Sequence, residues 1–178
     1  MSDGILSPEE YREQAEYAYE TFKMVNLLRI DINKIIENLN KVRLESELQF
    51  WLRIAVRTAI DSIDAMIYRL KIPARKLIKL RGVEKKLLPK LKKKGLISTF
   101  KELAVVFDVT FEIKEHDENY KEYLMARKIR DRITHPKKLS DLNVSVNEYE
   151  KVVDAFLWFQ KIFAQLIEKS KLQKKRRE

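Results

Sequence analysis

Cysteine is absent from the 178 residues, which excludes disulfides and thiolate metal sites and fits a reducing compartment. Glycine (3) and proline (4) are scarce, so the chain has little of the turn chemistry that a β-rich fold requires. No apolar run approaches the ~20 residues that span a bilayer, and Met1-Ser2-Asp3-Gly4 has no signal-peptide pattern. A soluble, cytoplasmic protein with no membrane partner is therefore expected. The only histidines are His116 and His135, too far apart in sequence for a metal-ligand spacing, so no metal and no cofactor are expected. A Gly-rich phosphate loop is also missing, as is a Ser or Cys nucleophile beside a base. Nucleotide hydrolysis and protease chemistry are thus unsupported.

What remains is 45% apolar and 36% charged, the balance of a helical protein. Length and pattern give one all-α helical bundle over residues 1–170, with a basic tail at 171–178 read as mobile. Ser7-Pro8-Glu9-Glu10 reads as a helix start, and apolar residues from Tyr11 to Leu39 recur at three- and four-residue steps. A second helix, about Glu45 to Leu70, is apolar on most sides, as a central helix should be. Its polar strip is Arg53, Arg57, Asp61 and Asp64, with Arg57 and Asp61 at ion-pair spacing. Residues 71–97 suggest two short helices broken at Pro73, Gly82, Pro89 and Gly95. Thr99-Phe100-Lys101-Glu102 offers a capping box for a short helix ending at Phe107. Residues 108–114 alternate polar and apolar, which predicts one extended segment, at most a lone short strand. Asp117 is placed to cap the helix that begins near Tyr120, and Ser145-Val146-Asn147-Glu148 caps a last helix to about Ser170.

The net charge of +10 is unevenly spread. Between Lys71 and Lys94 eleven Lys and Arg face Glu84 alone, and residues 169–178 carry six basic residues against Glu178. The rest of the chain is mildly acidic. Two basic blocks on an acidic body suit a polyanionic partner better than general solubility. Arg75, Lys76, Lys79, Arg81, Lys92, Lys93 and Lys94 are the candidate nucleic-acid contacts of the first block. The other readings are a lysine-coated helix pair whose stems cover apolar surface, and a membrane-surface helix.

The densest chemistry lies in Tyr120 to Pro136, a helix that runs into a proline. Pro136 disfavours the α conformation at His135, so the helix should stop there with its imidazole on an end. Asp131 and His135 are four apart and share one side, whereas Arg130 is splayed from His135 by about 140° on a straight helix. An Arg, an Asp and a His at one helix end can bind a phosphoryl oxygen, orient it and move protons near neutral pH. The plainer alternative is a solvated helix end that favours His and Arg, with Asp131 paired to Arg127. Arg127, Lys137 and Lys138 add positive charge beside this end.

Arg130-Asp131-Arg132-Ile133-Thr134-His135-Pro136 resembles the signature of the HEPN superfamily: Arg, a polar residue, a short spacer, then His at a helix end. The likeness extends to Asp141-Leu142-Asn143-Val144-Ser145 ahead of a helix containing Trp158, and to the apolar helix from Phe50 to Leu70. It covers most of residues 45 to 170, and only the Arg-to-Pro segment is specific. The resemblance implies an all-α domain that forms a symmetric dimer and cleaves RNA without metal, with a link to toxin-type or antiviral defence. It places the catalytic roles on Arg130, Asp131 and His135, gathered from both protomers into one cleft. One departure is Lys137, where the branch regulated by nucleotidyltransferase antitoxins carries Tyr.

The expected activity is therefore a metal-independent endoribonuclease acting on single-stranded RNA as a homodimer. One imidazole cannot serve as base and acid in the same step, and a two-fold partner supplies the second. The rivals are a non-catalytic RNA- or DNA-binding module built on residues 71–94 and a helical adaptor with no nucleic-acid partner.

Overall fold

Apolar residues at three- and four-residue steps become helices packed on one another, and five lie among the described residues of the computed structural model. It describes residues 8–80, 95–107 and 109–175, without the side chains of 8–18, 22, 76–80 and 170–175. The helices are α1 (Pro8–Leu39), α2 (Glu45–Leu80), α3 (Leu96–Phe107), α4 (Glu118–Thr134) and α5 (Val146–Lys175). A 3₁₀ turn at Leu139–Leu142 joins the last two. The fold is an all-α bundle, with no strand among the described residues.

Helix α2 is the centre of the bundle and touches each of the other four helices. Val56, Ile60, Ile63 and Met66 are fully buried along it, and Leu52 and Leu70 extend the same stripe. Against them pack Phe100 and Leu103 from α3, Tyr123, Ala126, Ile129 and Ile133 from α4, and Phe156, Phe159 and Leu166 from α5. Each large apolar side chain among these contributes about 1.5–3 kcal/mol by leaving water, so this cluster dominates the fold's stability. Met24, Val25, Ile32 and Leu39 of α1 lie against its edge.

Three expectations are corrected, and the alternative of a lone strand at 108–114 is closed. Helix α2 does not stop at Leu70 but continues through Pro73 to Leu80. A proline inside a helix costs about 3 kcal/mol, and burial of Leu70 and Ala74 one turn apart offsets much of it. Helix α3 begins at Leu96 rather than behind a Thr99 cap. Thr99 is buried, and the chain enters α3 through Gly95, whose φ of +141° only glycine adopts readily. The Gly95 carbonyl accepts from the Thr99 N–H (3.1 Å) and from Ser98 Oγ (3.2 Å). Residues 109–114 do face alternately, with Ile113 buried and Thr110 and Glu112 exposed, but they form no strand. Alternation sets which side is buried, whereas a strand also needs a ladder partner. Lastly, α5 continues five residues past Ser170 into the segment read as a tail.

Both ends of α4 follow their sequence signals. Asp117 is the N-cap, its side chain accepting from the Asn119 N–H at 3.0 Å. His135 is the C-cap, leaving the helix at φ −124°, ψ 60° while its N–H still reaches the Asp131 carbonyl at 2.9 Å. The Ser145–Glu148 box also forms: Ser145 N–H donates to Glu148 Oε2 (3.0 Å) and Glu148 N–H to Ser145 Oγ (3.2 Å). The Ser7 start and residues 81–94, with their breaks at Gly82 and Pro89, lie outside the described residues.

Candidate active site at the end of α4

The turn that follows α4 hangs from one face of α2. Gln49, Arg53 and Arg57, each four residues apart, project on one side of that helix and meet it at successive heights. Arg57 Nη2 donates to the Ile133 carbonyl at 2.7 Å, satisfying one of the acceptors that a helix C-terminus leaves over. Arg53 Nη1 donates to the Leu142 carbonyl at 3.2 Å. Gln49 pairs with Val144 in both directions, donating to its carbonyl (3.0 Å) and accepting from its N–H (2.8 Å). Arg57 is therefore not paired with Asp61, as its spacing predicted; its guanidinium goes to the end of α4 instead.

A second set of contacts closes the turn on itself. Arg132 donates to the carbonyls of Asp141 (3.2 Å) and Asn143 (2.8 Å) and forms an ion pair with Glu148 at 2.8 Å. The Asp141 carboxylate accepts the backbone N–H groups of Lys137 (2.9 Å) and Lys138 (3.2 Å). The Lys137 N–H, then that of Lys138, hold its carboxyl below the ordinary value. Pro136 and its two lysines are thus presented by a braced backbone.

Arg130 and its neighbours face α2 one turn earlier. Arg130 Nη2 lies 3.3 Å from Asp64 Oδ2, and its Nε lies 3.4 Å from Asp131 Oδ1. The Nε is buried and makes no well-aligned hydrogen bond, so the Asp131 contact is ionic proximity rather than a directed bond. Asp131 pairs with this neighbour rather than with Arg127, whose Nη1 is 3.5 Å from the Tyr123 hydroxyl. Burial pushes the Asp64 carboxyl above its usual value, Arg127 and Arg130 pull it back, and Asp61 and Asp131 push it further up. The His135 side chain is exposed and has no hydrogen bond or ion pair among the described residues.

Of the residues singled out by sequence, Arg130, Asp131, His135, Lys137 and Lys138 fall within nine consecutive positions at the end of α4, and Arg127 lies about two turns before His135 on the same helix. Arg75 does not join them: it is exposed eighteen residues beyond Arg57 on α2, about 27 Å along the axis. Lys76 and Lys79 lie on the α2 backbone without described side chains, and Arg81, Lys92, Lys93 and Lys94 lie outside the described residues. Sequence reasoning missed Gln49, Arg132, Asp141 and Glu148 as braces of this end. The regular spacing of 49, 53 and 57 was the available signal, but their acceptors are carbonyls, which no sequence pattern marks. Among the described residues no group of three or more His, Asp or Glu is gathered to hold a metal ion. No described helix is long and apolar enough to cross a membrane.

No protein-family model matches this chain, and neither a curated protein nor a solved structure does.

Proposed function

We propose that this protein is a metal-independent endoribonuclease that works as a homodimer, with Arg130, Asp131 and His135 at the end of α4. The observation that carries the reading is an unengaged imidazole on a braced helix end, with a half-buried guanidinium held one turn behind it. In this reaction an RNA 2′-OH attacks the adjacent phosphorus, forming a 2′,3′-cyclic phosphate and expelling the 5′-oxygen of the next nucleotide. One His135 takes the proton from the 2′-OH, and the partner copy's imidazole gives one to the leaving oxygen. Arg130 neutralises the phosphoryl oxygens as charge builds there. Asp64 and Asp131 orient its guanidinium, leaving Nη1 without a partner among the described residues. Lys137 and Lys138 attract the backbone.

The assay is incubation with single-stranded RNA in excess EDTA. Cleavage is expected from the unaltered chain, with a loss of about 10²- to 10⁴-fold in His135→Ala. Arg130→Ala should lose activity as well. A strict metal requirement, or cleavage that survives both substitutions in folded protein, rejects the mechanism.

A second reading has one observation in its favour: Arg130 already sits between two carboxylates, which offset its charge. In that case the chain binds RNA or DNA without turnover through residues 71–94. Binding would then weaken steeply with salt, and charge reversal in that block would matter more than His135→Ala.

A further inference from the structure

At the far end of α4 from His135, the extended segment 109–114, the α4 N-terminus and one face of α5 enclose an open cleft of about 460 Å³. That volume falls in the range of small-ligand sites. Ile113 and Ile162, both nearly buried, lie at its base, and most of the surface it presents is polar. Trp158 lines it half-buried and is backed by the Tyr123 ring, with centroids 6.3 Å apart. Phe111 is not free to stack, because Phe100 packs on it at 5.6 Å and Lys169 Nζ sits 5.6 Å from its ring centre. Lys169 also donates to the Thr110 carbonyl at 2.9 Å, which fixes its position at the rim. Lys161 has no partner among the described residues.

The charges decide what fits. The lining holds the carboxylates of Glu112 and Asp117 against the ammonium groups of Lys161 and Lys169, a net of zero. A bare phosphate gains nothing from such a balance. A neutral planar ring edged with donors and acceptors gains the Trp158 indole and a mixed polar rim that includes the Asn119 and Gln165 amides. We propose that this cleft is a nucleobase subsite, in which a base of single-stranded RNA stacks on Trp158 while Lys161 meets its phosphate. The proposal rests on RNA being the substrate of the α4 end. The 17 residues of α4 separate the two places by about 25 Å, the rise of roughly seven nucleotides in a stacked strand. One strand would therefore reach both.

The chain has two tryptophans, so Trp51→Phe leaves Trp158 as the only indole. In that background, combined with His135→Ala to prevent cleavage, oligoadenylate and adenosine monophosphate should quench the remaining fluorescence saturably, and tripolyphosphate should not. Polarisation of a labelled oligoadenylate should show affinity falling roughly ten- to hundred-fold in Trp158→Leu and largely restored in Trp158→Phe. Equal quenching by tripolyphosphate, or none by the nucleotides, overturns the subsite even where the unaltered chain cleaves RNA. Saturable quenching by nucleotides from a chain that never cleaves RNA supports the subsite and rejects the nuclease reading instead.

Discussion

Arg130 stands between two carboxylates that reach it from different directions, Asp64 across from α2 and Asp131 from the next position on its own helix. The two are not equivalent. Asp131 is 57% exposed, and an ion pair so open to solvent is worth about 0–1 kcal/mol, so a phosphate oxygen can replace it at small cost. Asp64 is more enclosed, and burial leads the upward push on its carboxyl. The folded chain therefore holds this proton to higher pH than the unfolded chain does. The resulting stability is present at low pH and is lost as pH rises through the folded value. Asp64→Asn should flatten the dependence of stability on pH in the window just above the ordinary aspartate value, as read by urea unfolding at several pH values. An unchanged slope would mean that Asp64 is better solvated than its setting indicates. Arg130, Asp131 and His135 were legible from sequence because they share one short segment. The link from Arg130 to Asp64 was not, since 66 residues separate the pair and only packing of α2 on α4 joins them.

At the scale of elements, the caps were the most legible features, because a cap is a local bargain between one side chain and a few N–H groups. Asp117, Ser145 with Glu148, and the stop before Pro136 all act where their residue types indicate. Thr99-x-x-Glu102 has the same lettering, yet Thr99 is buried within α3, since core packing overrides local preference. Proline misled in the same way at Pro73. Its ring replaces an N–H that would otherwise bond the Arg69 carbonyl, so Pro73→Ala should lengthen the run of helical bonds. The expected result is a gain of up to about 3 kcal/mol in unfolding free energy, measured by thermal or urea denaturation. A loss on this substitution would show that the ring's packing outweighs the missing bond.

For the molecule as a whole, the all-α class followed from the scarcity of glycine and proline and from the helical spacing of apolar residues. Which helix would be central was also readable, since α2 alone is apolar on most of its sides. The relative placement of the basic block and the helix end was not, because it depends on how far α2 continues. In the proposed dimer each copy supplies one imidazole. Sedimentation velocity at the concentrations used for cleavage should then give a mass near twice 21.3 kDa. A monomer that still cleaves RNA would remove the two-imidazole account while leaving the helix-end site intact.

The brace formed by Gln49, Arg53 and Arg57 ties the fate of the turn to its central helix. Bonds that span 76 to 95 positions of chain make the turn a dependent of α2, with no separate cooperative unit of its own. Tightening or slackening of that spine by a distant event would re-aim the imidazole without any change in the histidine's own neighbours.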